Sequence, residues 1–346
     1  MANIPYWREL LGNIIQDAQE KQRIVSVLNV NAVTITRWAN NTSNPRMQHL
    51  RHLVTVLPPD MRNAMIESIT EEYPDFSITA SILNHDEEQD EIPSTFYSRV
   101  FNTYVMTPKM QRAWFITNQV LQQALNHLDP YQLGMAITLV QCMPPSLDGK
   151  VCSLRERTGY GTPPWSVNLE PYTVFLGAES LAGHVVGSCH PRFIQDNDEH
   201  KGIVPAHWVE WEKSAAAYPI FCSGKVAGCL VVSSTVPNYF LPYRQKLIQY
   251  YTELLVLIFE SHEFYDIEAI NLRIMPYYRT QVEHLTNFRQ RVSSLITERL
   301  RNGESVDWRH AEALVWQQIE AELLTMPPYT GVEEDHHSSS TPSPDE

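Results

Sequence analysis

Residues 214–235 read SAAAYPIFCSGKVAGCLVVSST. An apolar run over 215–222 meets Ser223, Gly224 and Lys225, and a second apolar run over 226–232 follows at once. Two short β-prone runs separated by a glycine-containing turn read as a β-hairpin. Nearly every position in both runs is apolar, so the hairpin is expected to be covered on both faces. Gly228 and the small side chains of Ala215, Ala216 and Ala217 leave room for something to press closely on the sheet. Residues 242–260 then carry Leu247, Ile248, Tyr251, Leu254, Leu255, Ile258 and Phe259, one apolar stripe at helical spacing. Pro242 suits the first turn of that helix, where a missing N–H costs nothing. The expected unit is a buried hairpin ending a sheet, with a helix packed back across it.

At 346 residues the chain has room for two domains, each with a sizeable core. Its 43% hydrophobic and 19% charged residues are those of a globular protein. The formal net charge of −14 argues against a surface that coats nucleic acid throughout, but not against a small local DNA-binding module. No apolar run reaches membrane-spanning length and no leader pattern opens the chain, so no membrane partner and a cytoplasmic location are expected. The five cysteines, Cys142, Cys152, Cys189, Cys222 and Cys229, are scattered and form no CxxC pair. Neither a disulfide framework nor a metal site is expected, and the thiols read as small buried hydrophobes.

The first 76 residues read as a run of short helices. Leu11, Ile14, Ile15 and Ala18 mark one face of the first, and a second spans roughly 21–28. Asn29 stands where a tight helix-to-helix turn needs a left-handed residue, and Asn31 suits the N-cap of a third helix over 32–40. Met47, Leu50, Val54 and Leu57 mark a fourth, and a fifth runs over 60–72. The string LNVNAVTITRWANNTSNPRMQHLRHLVTVLP resembles the Cro/C1-type (XRE-like) helix-turn-helix family. Leu28, Asn29, Val30 and Asn31 match its turn, with Asn29 in place of the usual glycine; Trp38 and Pro45 match its later positions. The resemblance implies a double-stranded DNA partner contacted by Asn31, Thr34, Thr36, Arg37 and Arg46. Over residues 1–56, Arg8, Lys21, Arg23, Arg37, Arg46 and Arg51 stand against only Glu9, Asp17 and Glu20, the sign that phosphate binding requires. The competing reading is a helical bundle that binds protein and no DNA.

Residues 77–107, with HDEEQDE at 85–91, read as an acidic linker, and the Ser/Pro-rich 329–346 as a disordered tail. Between them, helix, strands, an irregular insert, a short helix, a strand, another helix over 207–214, the hairpin and the long helix succeed one another. That order describes an α+β domain with an antiparallel sheet and helices on its faces. The residues 180–186 (SLAGHVV), 191–196, SAAAYPIF and KVAGCLVVSS resemble the GAF family of small-molecule sensors. The fold class is then multidomain: an all-α helix-turn-helix bundle, an α+β GAF domain over 108–262, and C-terminal helices over 263–328. Those last helices could pack on the GAF domain or build a dimer.

No Walker A string, Rossmann glycine pattern or cyclic-nucleotide GAF motif is present, and no catalytic residues are assigned. Cys189-His190 resembles the bilin-attaching pair of phytochrome-type GAF domains without the rest of that pattern, so no cofactor is expected. Trp208 and Trp211 fit a core stripe as well as a ligand cage. An unknown small-molecule ligand is expected against Tyr218, with Cys189 and His190 as further candidates and the insert over 159–175 as a wall. The expectation is a homodimeric DNA-binding regulator and not an enzyme. The alternatives are a protein-interaction module with a degenerate GAF domain, and an enzyme of the free-methionine sulfoxide reductase kind.

Overall fold

The computed structural model describes residues 6–28, 30–46, 49–50, 53–54, 57, 59–73, 76, 91–130, 132–169, 174–196 and 211–328. The hairpin forms as expected: β5 (Ser214–Cys222) pairs with β6 (Lys225–Ser234) from Ser214 opposite Ser234 to Cys222 opposite Lys225. Ser223 and Gly224 both take positive φ, 52° and 84°, the two-residue turn whose twist matches paired strands. On its other side β6 pairs with β1 (Met135–Cys142). There Gly228 comes so close that a β-carbon would stand 2.1 Å from the Val140 carbonyl oxygen. Any larger residue would push the two central strands apart.

Among the described residues the antiparallel sheet runs β3-β2-β1-β6-β5-β4, with β2 Leu154–Gly161, β3 Phe175–Leu176 and β4 Arg192–Ile194. A seventh strand, β7 (Tyr265–Asp266), pairs with the start of β6, where β1 has ended. Helices α5 (Ser94–Met106), α6 (Lys109–Leu128) and α8 (Pro242–Leu255) cover one face. Their core joins Val120, Leu121 and Ala124 to Ile137, Leu139 and Leu230. The other face carries the eight-residue helix α7 (Leu181–Ser188), capped by Ser180, whose hydroxyl accepts from the Gly183 N–H at 2.9 Å.

Three sequence expectations are corrected. Part of the expected linker is α5, whose Phe96 and Val100 are buried in the core beside α6 and α8. The chain after 262 is not helical at once: β7 and a bridge from Ile270 to Val151 tie it to the sheet. The C-terminal helices α9 (Tyr278–Leu285), α10 (Phe288–Arg301) and α11 (Trp308–Leu324) pack on the sheet edge, sharing a core with Met143 and Phe175. Gln281 is fully buried there; its amide accepts from the Phe175 N–H (2.8 Å) and donates to the Phe175 carbonyl (3.0 Å), as a neighbouring strand would. The expected helix over 207–214 lies largely outside the described residues, and 211–213 are not helical. The expected tail over 329–346 lies outside them altogether.

In the N-terminal unit, α1 (Tyr6–Ile14), α2 (Ala18–Leu28), α3 (Ala32–Ala39) and α4 (Pro59–Glu72) enclose a core of Trp7, Leu11, Ile24, Ile35, Trp38 and Leu50, among others. Asn31 caps α3, accepting from the Val33 N–H at 2.9 Å. Asn29 and Met47 lie outside the described residues. Arg8, one of the six cations in the charge balance over 1–56, is not on the surface. It is fully buried and donates to the Trp38 carbonyl (2.7 Å), to Asn44 Oδ1 (3.0 Å) and to Glu72 (2.8 Å). Burial works against the Glu72 charge, but hydrogen bonds from Arg8 and Trp7 outweigh it and hold the carboxyl below its usual range. One guanidinium thus joins α1, the end of α3 and α4. Arg8→Ala strands these acceptors and is expected to cost this unit about 3 kcal/mol. Amide exchange should then show lost protection over 6–73 and unchanged protection in the sheet.

Candidate functional site

The face covered by α7 is not filled. A cavity of about 380 Å³ lies between the sheet and α7, closed along one side by residues 164–169. Its floor consists of short side chains on alternating positions, Ala136 and Thr138 of β1, Ala215 of β5 and Ser233 of β6. Leu181 and Ala182 of α7 form the roof, and Trp165 and Trp211 meet edge to face at one rim, their rings 6.4 Å apart. The wall is possible because of Gly161, where a β-carbon would stand 2.6 Å from Trp165 Cβ. With hydrogen there, the insert folds back on β2, and the Leu169 N–H donates to the Gly159 carbonyl at 3.0 Å.

Two carboxylates line this otherwise largely apolar space, Glu156 of β2 and Glu212 before β5. A register shift between Leu139 and Val140 places Glu156 opposite Val140, so that it faces the cavity. Burial raises the Glu156 pKa; the Val174 N–H at 3.3 Å lowers it and the Glu212 charge raises it further, to about 8 overall. Of the two adjoining cations, Arg157 donates to Gln141 Oε1 (3.4 Å) and Arg155 to the Glu156 main-chain carbonyl (3.3 Å). Glu212 is itself 6% exposed. Sequence reading missed both carboxylates. In LRERTGYG, Glu156 looks like one of several alternating charges, and nothing local announces the register shift.

The expected ligand residues are not brought together. Tyr218 projects from the opposite face of the sheet, packed in the α6–α8 core with its ring 5.5 Å from that of Phe193, and burial raises its hydroxyl to about 12. The cavity lies on the other face of the sheet, among Ala215 and its neighbours. Cys189 ends α7 in the left-handed conformation, its thiol 3.6 Å from the Val186 carbonyl, and the exposed His190 contacts the Ser188 carbonyl at 2.6 Å. Neither lines the cavity. The insert expected as a wall does supply Pro164, Trp165, Ser166 and Leu169, and Trp211 is a cavity aromatic, while Trp208 lies outside the described residues. Nor are the cysteines all scattered: Cys142, Cys189 and Cys229 meet in one cluster on the α7 side, and burial raises all three thiols. In the N-terminal unit Asn31, Arg37 and Arg46 are exposed and Thr34 is half-buried. The Thr36 hydroxyl is turned to the Ala32 carbonyl of its own helix at 3.0 Å.

Sheet, helices and cavity together define an α+β domain, an antiparallel sheet with helices on its faces and a cavity on the α7 side. No family model matches the sequence, and no curated protein matches it. Among solved structures, this chain is similar to the GAF domain of a phosphoenolpyruvate-protein phosphotransferase (ptsP) from Coxiella burnetii. The identity is 16% over 53% of this chain and 95% of that one, with a TM-score of 0.34. It is also similar to type II free methionine-R-sulfoxide reductase from Thermoplasma acidophilum, at 14% identity over 44% of this chain and 97% of that one, with a TM-score of 0.33. Similarity at this level does not bear on what this chain binds. Among the described residues no helix is long and apolar enough to cross a membrane, and no cluster of three His, Cys, Asp or Glu could hold a metal.

Stability should respond to these acids. Glu156 at about 8 and Glu320, which burial raises to about 7 beside the Ser153 hydroxyl, both bind a proton more tightly folded than unfolded. Each therefore withdraws stability as pH rises from the unfolded value of about 4.5 to its folded pKa. Urea melts should show the unfolding free energy falling across that window. Glu156→Gln should flatten the fall up to about pH 8, and Glu320→Gln only the part below about 7.

Proposed function

We propose that this protein is a DNA-binding transcriptional regulator whose GAF-like domain holds a small molecule in the cavity beneath α7. The DNA half rests on one observation: residues 30–46 contain no carboxylate, and expose Asn31, Arg37 and Arg46 in a chain of net charge −14. That acid-free segment includes the N-cap of α3, the helix that the Cro/C1-type resemblance assigns to the major groove. Asn31, Thr34 and Arg37 recur at steps of three along it, one helix face. The burial of Arg8 removes one cation from the phosphate balance but not from this segment. No catalytic role is assigned: burial disfavours the thiolate that a cysteine nucleophile would need.

The regulator is proposed to be a homodimer in the cytoplasm. The helix pair α5–α6 exposes Phe101 (65%), Val105, Met106, Met110 and Trp114 (63%). An apolar face of that extent is unusual on a monomer, and a second copy covering it would place two α3 helices on paired half-sites. The same face favours one rival reading, an interaction module whose N-terminal bundle binds protein. Val33, 57% exposed on α3, suits that rival too.

Two measurements separate these readings. Arg37→Ala is expected to weaken duplex binding by about 1–3 kcal/mol in a fixed-salt mobility-shift titration; a folded variant with unchanged affinity removes this residue from the interface. Trp114→Glu combined with Phe101→Asp is expected to give a monomer in sedimentation velocity and to weaken binding to a palindromic site more than to a half-site.

A further inference from the structure

We propose that the cavity beneath α7 takes a small organic cation, a protonated amine with an aromatic or apolar body, its charge set against Glu156 and its body against Trp165. This deepens the reading of the domain as a ligand-binding one and rests on it. The lining is chemically lopsided. Two carboxylates face a space whose other walls are mostly Ala, Leu, Val, Pro and Trp, and no Lys or Arg lines it among the described residues.

An ionised carboxylate in such a space is stable only with a partner. Among the described residues the Glu156 carboxylate has one hydrogen bond, from the Val174 N–H at 3.3 Å, while Arg157 reaches to Gln141 and Arg155 to the Glu156 main-chain carbonyl. Burial accordingly favours its protonated form, and the Glu212 charge adds to that preference. A ligand ammonium would reverse the balance by supplying the missing positive charge in a water-poor site, where a charge-assisted hydrogen bond is strong. The two indoles at the rim favour the same ligand, since aromatic faces attract cations and their edges pack on apolar bodies. Anionic ligands, phosphates included, meet two carboxylates and, among the described residues, no cation. At about 380 Å³ the cavity suits a single compact molecule rather than a dinucleotide. A chain of net charge −14 also draws cations toward it.

The test is calorimetric titration of the full chain with three probes of one shape: phenethylamine, 2-phenylethanol and phenylacetate. The expected result is binding of the amine at least about tenfold tighter than of the alcohol, with no binding of the acid. Amine affinity should rise between about pH 6 and pH 8, with protons released on binding, because Glu156 must ionise to receive the ammonium. Glu156→Gln should weaken the amine about tenfold or more and leave the alcohol unchanged; Glu212→Gln should weaken the amine less. Trp165→Ala should weaken amine and alcohol alike. Equal binding of amine and alcohol, preference for the acid, an amine affinity unmoved by Glu156→Gln, or no amine binding would each overturn the assignment. Alcohol or acid binding that Trp165→Ala abolishes would overturn the cation while leaving a ligand-binding cavity. DNA binding by the same preparation, measured by mobility shift, fails or survives independently of all of these.

Discussion

The contact between Gly228 and the Val140 carbonyl sets the rest of the sheet-bearing domain in place. It lets β1 and β6 close up as the central pair, and each then divides its residues between two very different coverings. One face carries Ile137, Leu139, Leu230 and Val232 and is covered by the long helices α6 and α8. The other carries Ala136, Thr138, Val231 and Ser233 under an eight-residue helix. Long helices bearing large side chains fill one layer. Short residues beneath a short helix cannot fill the other, because an interior closes only when summed side-chain volume matches the space. The cavity follows from this asymmetry, and the insert over 164–169 closes one side of it.

The N-terminal unit depends on a different kind of constraint. A bundle of about seventy residues has a small core, and each buried group weighs heavily in it. Arg8 is costly to bury alone, but here its donors meet two backbone carbonyls, an asparagine side chain and a carboxylate. Such satisfied buried charges contribute more to defining a single arrangement than to net stability. The arrangement defined is that of α3 relative to α1 and α4, since the Trp38 carbonyl at its end is one of the acceptors.

Much of this was legible in the sequence. The hairpin, its two-faced burial, the Pro242 helix, the Asn31 cap and the Trp38 core position all follow from short-range pattern, and local physics governs them. The misreadings share one cause, dependence on distant partners. Arg8 looks like a surface cation because Glu72 lies sixty-four residues on. Glu156 looks like a strand-edge charge because the register shift that aims it depends on pairing with β1. The helix α5 looks like linker because an acidic run precedes it and its apolar residues have no partner until α6 and α8 are in place. Tyr218 is a different case. Strict alternation puts it on the face of Ala216, away from Ala215 and Ala217, so period two alone could have removed it from the ligand wall.

On the proposed reading the cavity must be coupled to the dimer face and to the DNA, and the same central strands provide the physical route. Ala136 and Thr138 line the cavity, while Ile137 and Leu139, at the alternate positions, pack in the α5–α6–α8 core. A change in the curl of β1 on one side is therefore a change in packing on the other, with no intermediate element to absorb it. A second wall is tied elsewhere. Leu176 lines the cavity, and its neighbour Phe175 is clamped by Gln281 of the C-terminal helices. The C-terminal unit thus holds the β3 edge through the Gln281 amide. A ligand biases such a system only by binding one arrangement better than the other. On that reading burial favours the protonated Glu156 of the empty cavity and a bound cation favours its ionised form, and this change of charge is the difference a ligand would bring.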